Sequence, residues 1–161
     1  AIKAKKLQNL VVVSPDTGFV KQARRYATLL QCNLAIGDKE RINHDENAEI
    51  LQIIGDVKGK TAMIVDDFAI SAGTLVEIAN TLIEKGASSV YAAITHGVFA
   101  PGTKERIDDS PITKLLVTDS IETQPTPMSD KVEIVSVAAY LGEAIRRIHN
   151  RESISVLFSN A

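Results

Sequence analysis

With 161 residues, 45% of them hydrophobic and 24% charged, the chain has the make-up of a folded globular protein and excludes a disordered one. Its 18 Lys and Arg against 20 Asp and Glu leave a net charge of -2, which gives no electrostatic case for nucleic acid or a membrane surface. Cys32, the one cysteine, excludes an internal disulfide, no apolar run is long enough to span a bilayer, and the N-terminal Ala1 to Lys6 lacks a signal-peptide core. Expected is a single domain over residues 1–161, soluble and cytoplasmic, burying roughly two thirds of its unfolded surface and binding a small partner.

Leu10 to Val13 is a continuous apolar run of strand length, as in a strand buried on both faces. Ser14-Pro15-Asp16 ends it, and Gly18 opens a helix in which Val20, Ala23, Ala27 and Leu30 recur at helical spacing, with Lys21, Arg24 and Arg25 outward. Asp16 thus stands at the C-terminal edge of a strand, where it either caps the helix or faces a ligand. Asn33 to Ile36 reads as a second strand. Gly37 to Glu49 is then polar and charged without a periodic apolar face, the pattern of a hairpin or lid, or of a loop that is merely solvated; His44 within it reads as a surface histidine.

Gly55 to Thr61, G-D-V-K-G-K-T, imitates a nucleotide-binding loop. It has three residues between its glycines where four are needed, and it leads into a strand, so it reads as a tight turn. The strand is Thr61 to Val65, and it delivers Asp66 and Asp67 to the C-terminal edge of the sheet. Ser71-Ala72-Gly73-Thr74 then turns into an amphipathic helix over Leu75 to Lys85, with Leu75, Ile78, Ala79, Leu82 and Ile83 apolar and Gly86 as its stop. Small residues with free N–H groups opening onto a helix N-terminus favour an anion, above all a phosphate. Acids that accept hydrogen bonds from sugar hydroxyls beside such a cradle describe a sugar-phosphate site; the acids alone could hold a metal, or simply cap and solvate the strand end.

Val90 to Thr95 supplies another strand, ending at His96-Gly97, where a lone histidine is more often structural than a ligand-binding group. A short helix is expected over Pro101 to Asp108 with Pro at its start, a strand over Lys114 to Thr118, a loop over Ser120 to Lys131 holding Pro125 and Pro127, and a strand over Val132 to Val135. Ser136 caps a last helix with Val137, Leu141, Ala144, Ile145 and Ile148 on one face. The alternation implies an α/β fold of three layers, a mostly parallel sheet flanked by helices. Right-handed crossovers would bring Asp16, Asp66 to Thr74 and His96 to one edge, with the lid over it.

Val65-Asp66-Asp67-Phe68-Ala69-Ile70-Ser71-Ala72-Gly73-Thr74 resembles the phosphoribosyl-diphosphate binding motif of the type I phosphoribosyltransferase fold. With Val11 to Asp16, Asp38 to Arg41, Ile54 to Thr61, Tyr91 to Gly97 and Glu152 to Phe158, nearly the whole chain resembles the C-terminal half of the ribose-phosphate diphosphokinases. The resemblance implies transfer of the β,γ-diphosphoryl group of ATP to the C1 hydroxyl of ribose 5-phosphate, with Mg2+. It implies that Asp66 and Asp67 hold the ribose hydroxyls, that Ser71, Ala72, Gly73 and Thr74 hold the 5-phosphate, that Lys39 and Arg41 are the catalytic cations of the lid, and that Asp16 assists the metal. Such cations fit a reaction that needs charge stabilisation more than covalent help.

The family's adenine contacts and a metal-binding histidine come from an N-terminal domain that this sequence lacks, so the chain alone is expected to be inactive and to work with that domain in a homo-oligomer. Ile70 departs from the family, which commonly has an aspartate there. A free-standing phosphoribosyltransferase is an alternative, but with three Tyr and four Phe the chain shows no aromatic-rich hood for a base. A non-catalytic synthetase-associated regulatory or binding protein is a third reading, and Ile70 favours it.

Overall fold

The apolar runs assemble side by side at the centre of a seven-stranded sheet, in the order β3-β2-β1-β4-β5-β6-β7. The computed structural model describes residues 1–41, 49–122 and 128–159, with the side chains of 39–41, 49–50 and 159 outside that description. The central strands are β1 (Leu10–Ser14), β4 (Thr61–Ala69), β5 (Ser89–Gly97) and β6 (Ile112–Thr118). They are flanked by β2 (Asn33–Arg41) with β3 (Glu49–Ile54) on one side and β7 (Val132–Val135) on the other. Every pair is parallel except β2 with β3. Val11, Val12 and Val13 have no exposed surface, which is why β1 shows no alternation: both faces of the sheet are covered.

Neighbouring residues of one strand feed opposite layers. Val11, Val13, Ala62 and Ile64 pack with α2 (Gly73–Glu84), whose Leu75, Ile78, Ala79 and Leu82 are all buried, and with Ile107 of α3 (Thr103–Asp108). Val12, Met63 and Val65 pack on the other side with Phe19 and with Ala23 and Ala27 of α1 (Val20–Leu30). The three-layer α/β arrangement read from the sequence is the one observed.

Several boundaries move, each for a physical reason. β2 does not stop at Ile36 but runs to Arg41, because an antiparallel partner absent from the sequence reading, β3, satisfies its polar residues' backbone. In β3, Leu51 and Ile53 turn toward the core while Gln52 and Ile54 are exposed, a half-buried strand's period of two. The expected lid is thus a β2–β3 hairpin as far as it is described; its residues 42–48, His44 among them, lie outside the described residues, as do Pro125 and Pro127 of the later loop. Gly55 to Lys60 leads into β4 with no helix, as expected of a turn. β4 continues through Asp66 and Asp67 to Ala69, and α2 begins at Gly73 instead of Leu75. α3 begins two residues after Pro101, from Gly102 at φ 82, so the proline precedes the helix instead of starting it.

The last elements are α4 (Ala138–His149) and a short α5 (Val156–Ser159) that the sequence did not suggest. Ser136 Oγ accepts the Ala138 N–H at 3.3 Å and Asp119 Oδ1 the Val137 N–H at 2.8 Å, so the start of α4 is tied by two side chains. No residue of α4 is buried. Leu141, Ile145 and Ile148 stay 57%, 68% and 63% exposed, so the apolar face read from the sequence exists without a covering layer among the described residues.

Candidate functional site

The C-terminal ends of β1, β4 and β5 lie side by side, since β4 pairs in parallel with both neighbours. Three of the expected residues meet there. Asp16 follows β1 by two residues; its Oδ1 accepts the Phe19 N–H at 2.9 Å, and buried Ser14 donates its hydroxyl to the Asp16 carbonyl at 2.8 Å. One carboxylate oxygen therefore braces the turn into α1, the capping alternative, and the other has no hydrogen-bond partner among the described residues. Gly37 of β2 lets two chains pass closely here: a Cβ on it would stand 2.8 Å from the Pro15 carbonyl oxygen.

Asp66 and Asp67, as consecutive strand residues, project to opposite faces. Asp66 lies on the α2 side, half-buried, with its Oδ1 accepting the Asp67 N–H at 2.9 Å. Burial first, and then the negative charges of Asp67 and Asp16, push the Asp66 carboxyl up to about 6. Asp67 is exposed on the α1 side, at the mouth of a cavity of about 930 Å3 lined by α1 and by Phe158 of α5. Crowded carboxylates of this kind are held at a cost and are suited to hydroxyl donors or a cation. Among the described residues, no three His, Cys, Asp or Glu side chains stand close enough together to hold a metal ion by themselves.

The loop after β4 turns the chain through Ala72, at φ 56, into α2. Its carbonyls are engaged from behind. Ala69 accepts from the Val98 N–H at 2.9 Å, Ile70 from the Ala100 N–H at 2.8 Å, and Ser71 from the Arg106 guanidinium. No protein acceptor takes the N–H of Ser71, Ala72 or Thr74 among the described residues, and the Gly73 N–H meets only Ser71 Oγ at 3.4 Å. These groups lie at the positive end of the α2 dipole, an arrangement that can receive a phosphate.

Lys39 and Arg41 are placed by backbone alone: β2 pairs Ile36 with Ser14 of β1 and then continues, with Lys39 opposite Leu51 and Arg41 opposite Glu49. At about 3.3 Å per residue, Arg41 lies roughly 16 Å beyond the level of Ser14, past the edge where the acids sit. The two side chains lie outside the described part of the structure. His96 reaches the same edge, but its Nδ1 is engaged with Ser120 Oγ at 2.8 Å, and Ser120 is bound in turn to Thr118 Oγ1 and the Thr95 carbonyl, so the histidine serves the join between β5 and β6. Arg106 was not read from the sequence at all; a single arginine in a short polar helix carries no signal without the contact that it makes.

Comparison with known proteins agrees with the fold. The model of the phosphoribosyl synthetase-associated domain matches residues 42–159. A ribose-phosphate pyrophosphokinase of Thermosipho africanus is 52% identical over 148 residues, which is 92% of this chain and 46% of the relative; one of Oceanobacillus iheyensis is 46% identical over 154 residues, 96% and 48%. The crystal structure of phosphoribosylpyrophosphate synthetase from Mycobacterium smegmatis superposes with a TM-score of 0.81 at 31% identity, over 89% of this chain and 46% of that one. The chain spans about half the length of the curated relatives it matches. A strand that carries two acids near its C-terminal end, a loop whose Ser71, Ala72 and Thr74 N–H groups have no acceptor among the described residues, and a matching family model over most of the sequence together make this chain a member of the phosphoribosyl synthetase-associated family.

Proposed function

We propose that the chain is one phosphoribosyltransferase-like domain, the half of a ribose-phosphate diphosphokinase that holds ribose 5-phosphate and contributes the lid over it. The observation that carries this reading is the placement, within one strand–loop–helix unit, of two carboxylates and of the Ser71, Ala72 and Thr74 N–H groups, which have no protein acceptor among the described residues. Asp66 and Asp67 accept hydrogen bonds from the ribose hydroxyls. The N–H groups of Ser71, Ala72, Gly73 and Thr74 take the 5-phosphate, whose charge the α2 N-terminus favours. The C1 hydroxyl is left to receive the β,γ-diphosphoryl group of ATP, with AMP departing, and Lys39 and Arg41 offset the negative charge on the transferring oxygens.

The residues present fit a magnesium ion of the kind that keeps several waters and takes substrate oxygens. The Asp16 carboxylate would hold it, near enough to Asp66 for the two charges to repel each other in its absence. Such an ion supplies charge neutralisation for a polyphosphate. The remaining contacts to ATP are assigned to an N-terminal domain, in keeping with the chain matching about half of its relatives' length. The apolar face of α4, exposed over Leu141, Ile145 and Ile148, suits a surface that such a domain or a neighbouring subunit of a homo-oligomer covers. The setting is cytoplasmic, consistent with a lone cysteine and with no described helix long and apolar enough to cross a membrane.

One observation favours a second reading, that of a binding or regulatory relative without turnover. Ile70 is 52% exposed on the loop and offers no acceptor to a sugar hydroxyl. Calorimetric titration of ribose 5-phosphate and then ATP, each with magnesium, tests the first reading. It expects ribose 5-phosphate binding that falls at least tenfold when Asp66 and Asp67 are both changed to Ala, with little ATP binding. Sugar-phosphate binding indifferent to the double substitution would overturn it. Ile70→Asp, in a chain joined to the missing half, separates the two readings: a gain in turnover favours the non-catalytic one for the natural chain.

A further inference from the structure

We propose that Arg106 is a positioning residue of the phosphate loop: it holds the Ser71–Ala72 peptide so that the Ala72 N–H faces the ligand, and it strengthens that N–H as a donor. The inference rests on the reading of Ser71 to Thr74 as a phosphate cradle.

Three consecutive carbonyls, those of Ala69, Ile70 and Ser71, are all taken from the same side by the segment that follows β5: by the Val98 N–H, the Ala100 N–H and the Arg106 guanidinium in turn. In a trans peptide the C=O and N–H point in opposite directions. Fixing the Ile70 carbonyl therefore aims the Ser71 N–H away from the β5–α3 connection, and fixing the Ser71 carbonyl does the same for the Ala72 N–H. The first two bonds are main-chain bonds and would form with any side chains. The third is not, and it falls at the residue that needs holding most, because the next one, Ala72, adopts φ 56, a left-handed conformation that a non-glycine residue takes only under constraint.

Arginine suits the task for a reason beyond reach. Arg106 lies in α3, and no carboxylate among the described residues pairs with it. A cation donating to a carbonyl makes a charge-assisted bond and polarises the whole peptide unit, which makes the N–H at its other end a better donor to an anion. A full positive charge is thereby placed behind the loop, adding to the α2 dipole, without occupying the space that a phosphate would fill.

The test uses the 161-residue chain and four variants: Arg106→Lys, which keeps charge and donor; Arg106→Gln, which keeps a donor only; Arg106→Met, which keeps neither; and Lys104→Met, a control on the same helix. Amide proton shifts and hydrogen exchange of Ser71 to Thr74 are followed in the free chain, and ribose 5-phosphate and inorganic phosphate are titrated. Arg106→Met is expected to speed loop exchange and shift the Ala72 N–H upfield, with the Leu75–Leu82 amides and Tm unchanged, and to weaken both ligands roughly three- to tenfold. Arg106→Lys should restore most of this and Arg106→Gln only the loop order. Loop amides that are the same in Arg106→Met and in the natural chain would overturn the proposal, as would an equal response to Lys104→Met. If the loop responds to Arg106 as expected but no variant, nor the natural chain, binds either ligand, the positioning role stands and the sugar-phosphate reading is what fails.

Discussion

α2 and α4 are both twelve-residue helices, and both carry apolar side chains at helical spacing on one face. α2 buries Leu75, Ile78, Ala79 and Leu82 against the sheet; α4 buries nothing. The difference is one of partner and not of pattern. α2 is locked to β4 and β5, so its first turn is a fixed platform for the loop that precedes it, and precision at a binding site comes from such anchoring. α4 keeps Ile145 and Ile148 in solvent and is held by its own charges, which suits an element whose stabilising contacts form elsewhere.

The sharpest way to break that comparison is to remove equivalent side chains. Ile78→Ala opens a hole in a fully buried position and is expected to cost about 2–4 kcal/mol, or roughly 4–16 °C of Tm. Ile145→Ala, the same change at a position 68% exposed, should leave the Tm of this chain within about a degree. Paired thermal melts decide it: a comparable loss at Ile145 would mean that α4 is packed in solution. Joining the chain to a relative's N-terminal half and repeating the pair asks where the face of α4 is used, since Ile145→Ala becomes costly only if that half covers it.

How much of this was legible beforehand depends on whether the contacts are local. The valines of β1, the acid pair and small residues of β4–α2 and the spacing of α2 announce themselves, because short-range steric and hydrogen-bonding preferences determine them, and the layer order follows from their alternation. β3 was missed because its partner stretch in β2, Gly37 to Arg41, reads as charged loop; only the antiparallel pairing makes strand of it. Arg106 was missed because its meaning is a bond to Ser71, 35 residues away. The apolar face of α4 is legible from its spacing but its exposure is not, since periodicity tells which residues share a side and never what lies opposite.

Asp66 carries a stability cost within the better-anchored region. Its carboxyl is raised from 3.8 to about 6, chiefly by burial, so the folded state holds the proton more tightly than the unfolded one. The stabilising contribution of the protonated acid is full below about pH 4 and is lost as pH rises through about 6. Asp66→Asn, which never ionises, is therefore expected to raise Tm at pH 7.5 by a few degrees, on the order of 1 kcal/mol after solvent screening, and to change it little at pH 4. Ribose 5-phosphate binding should fall in the same variant. Melts across pH 4–8 check the sign; a gain at pH 4 as large as at pH 7.5 would mean that the amide packs better and that ionisation is not the cause.

The smallest effect belongs to α4, where local charge stands in for packing. Arg146 joins Glu143 and Glu152, Arg147 reaches the same two acids, and the Glu152 N–H returns to the Arg147 carbonyl, so the segment after the helix folds back on its last turn. The Arg146 side chain holds Glu143 down to about 2 and Glu152 below its usual value. With folded values depressed, what these acids contribute is present above about pH 4.5 and is lost as pH falls toward 2. Both acids are in contact with water, so the gain is modest and salt weakens it, yet α4 has little else to hold its end. Acidification from pH 5 to pH 2.5 should accordingly move the Cα shifts of Arg146 to Asn150 toward coil values while those of Ile78 to Leu82 stay helical. Molar salt at pH 5 should reproduce part of that change. If the two helices lose their shifts together, the end of α4 is coupled to the core after all, and the contrast between a helix fixed by burial and one fixed by its own ion pairs falls with it.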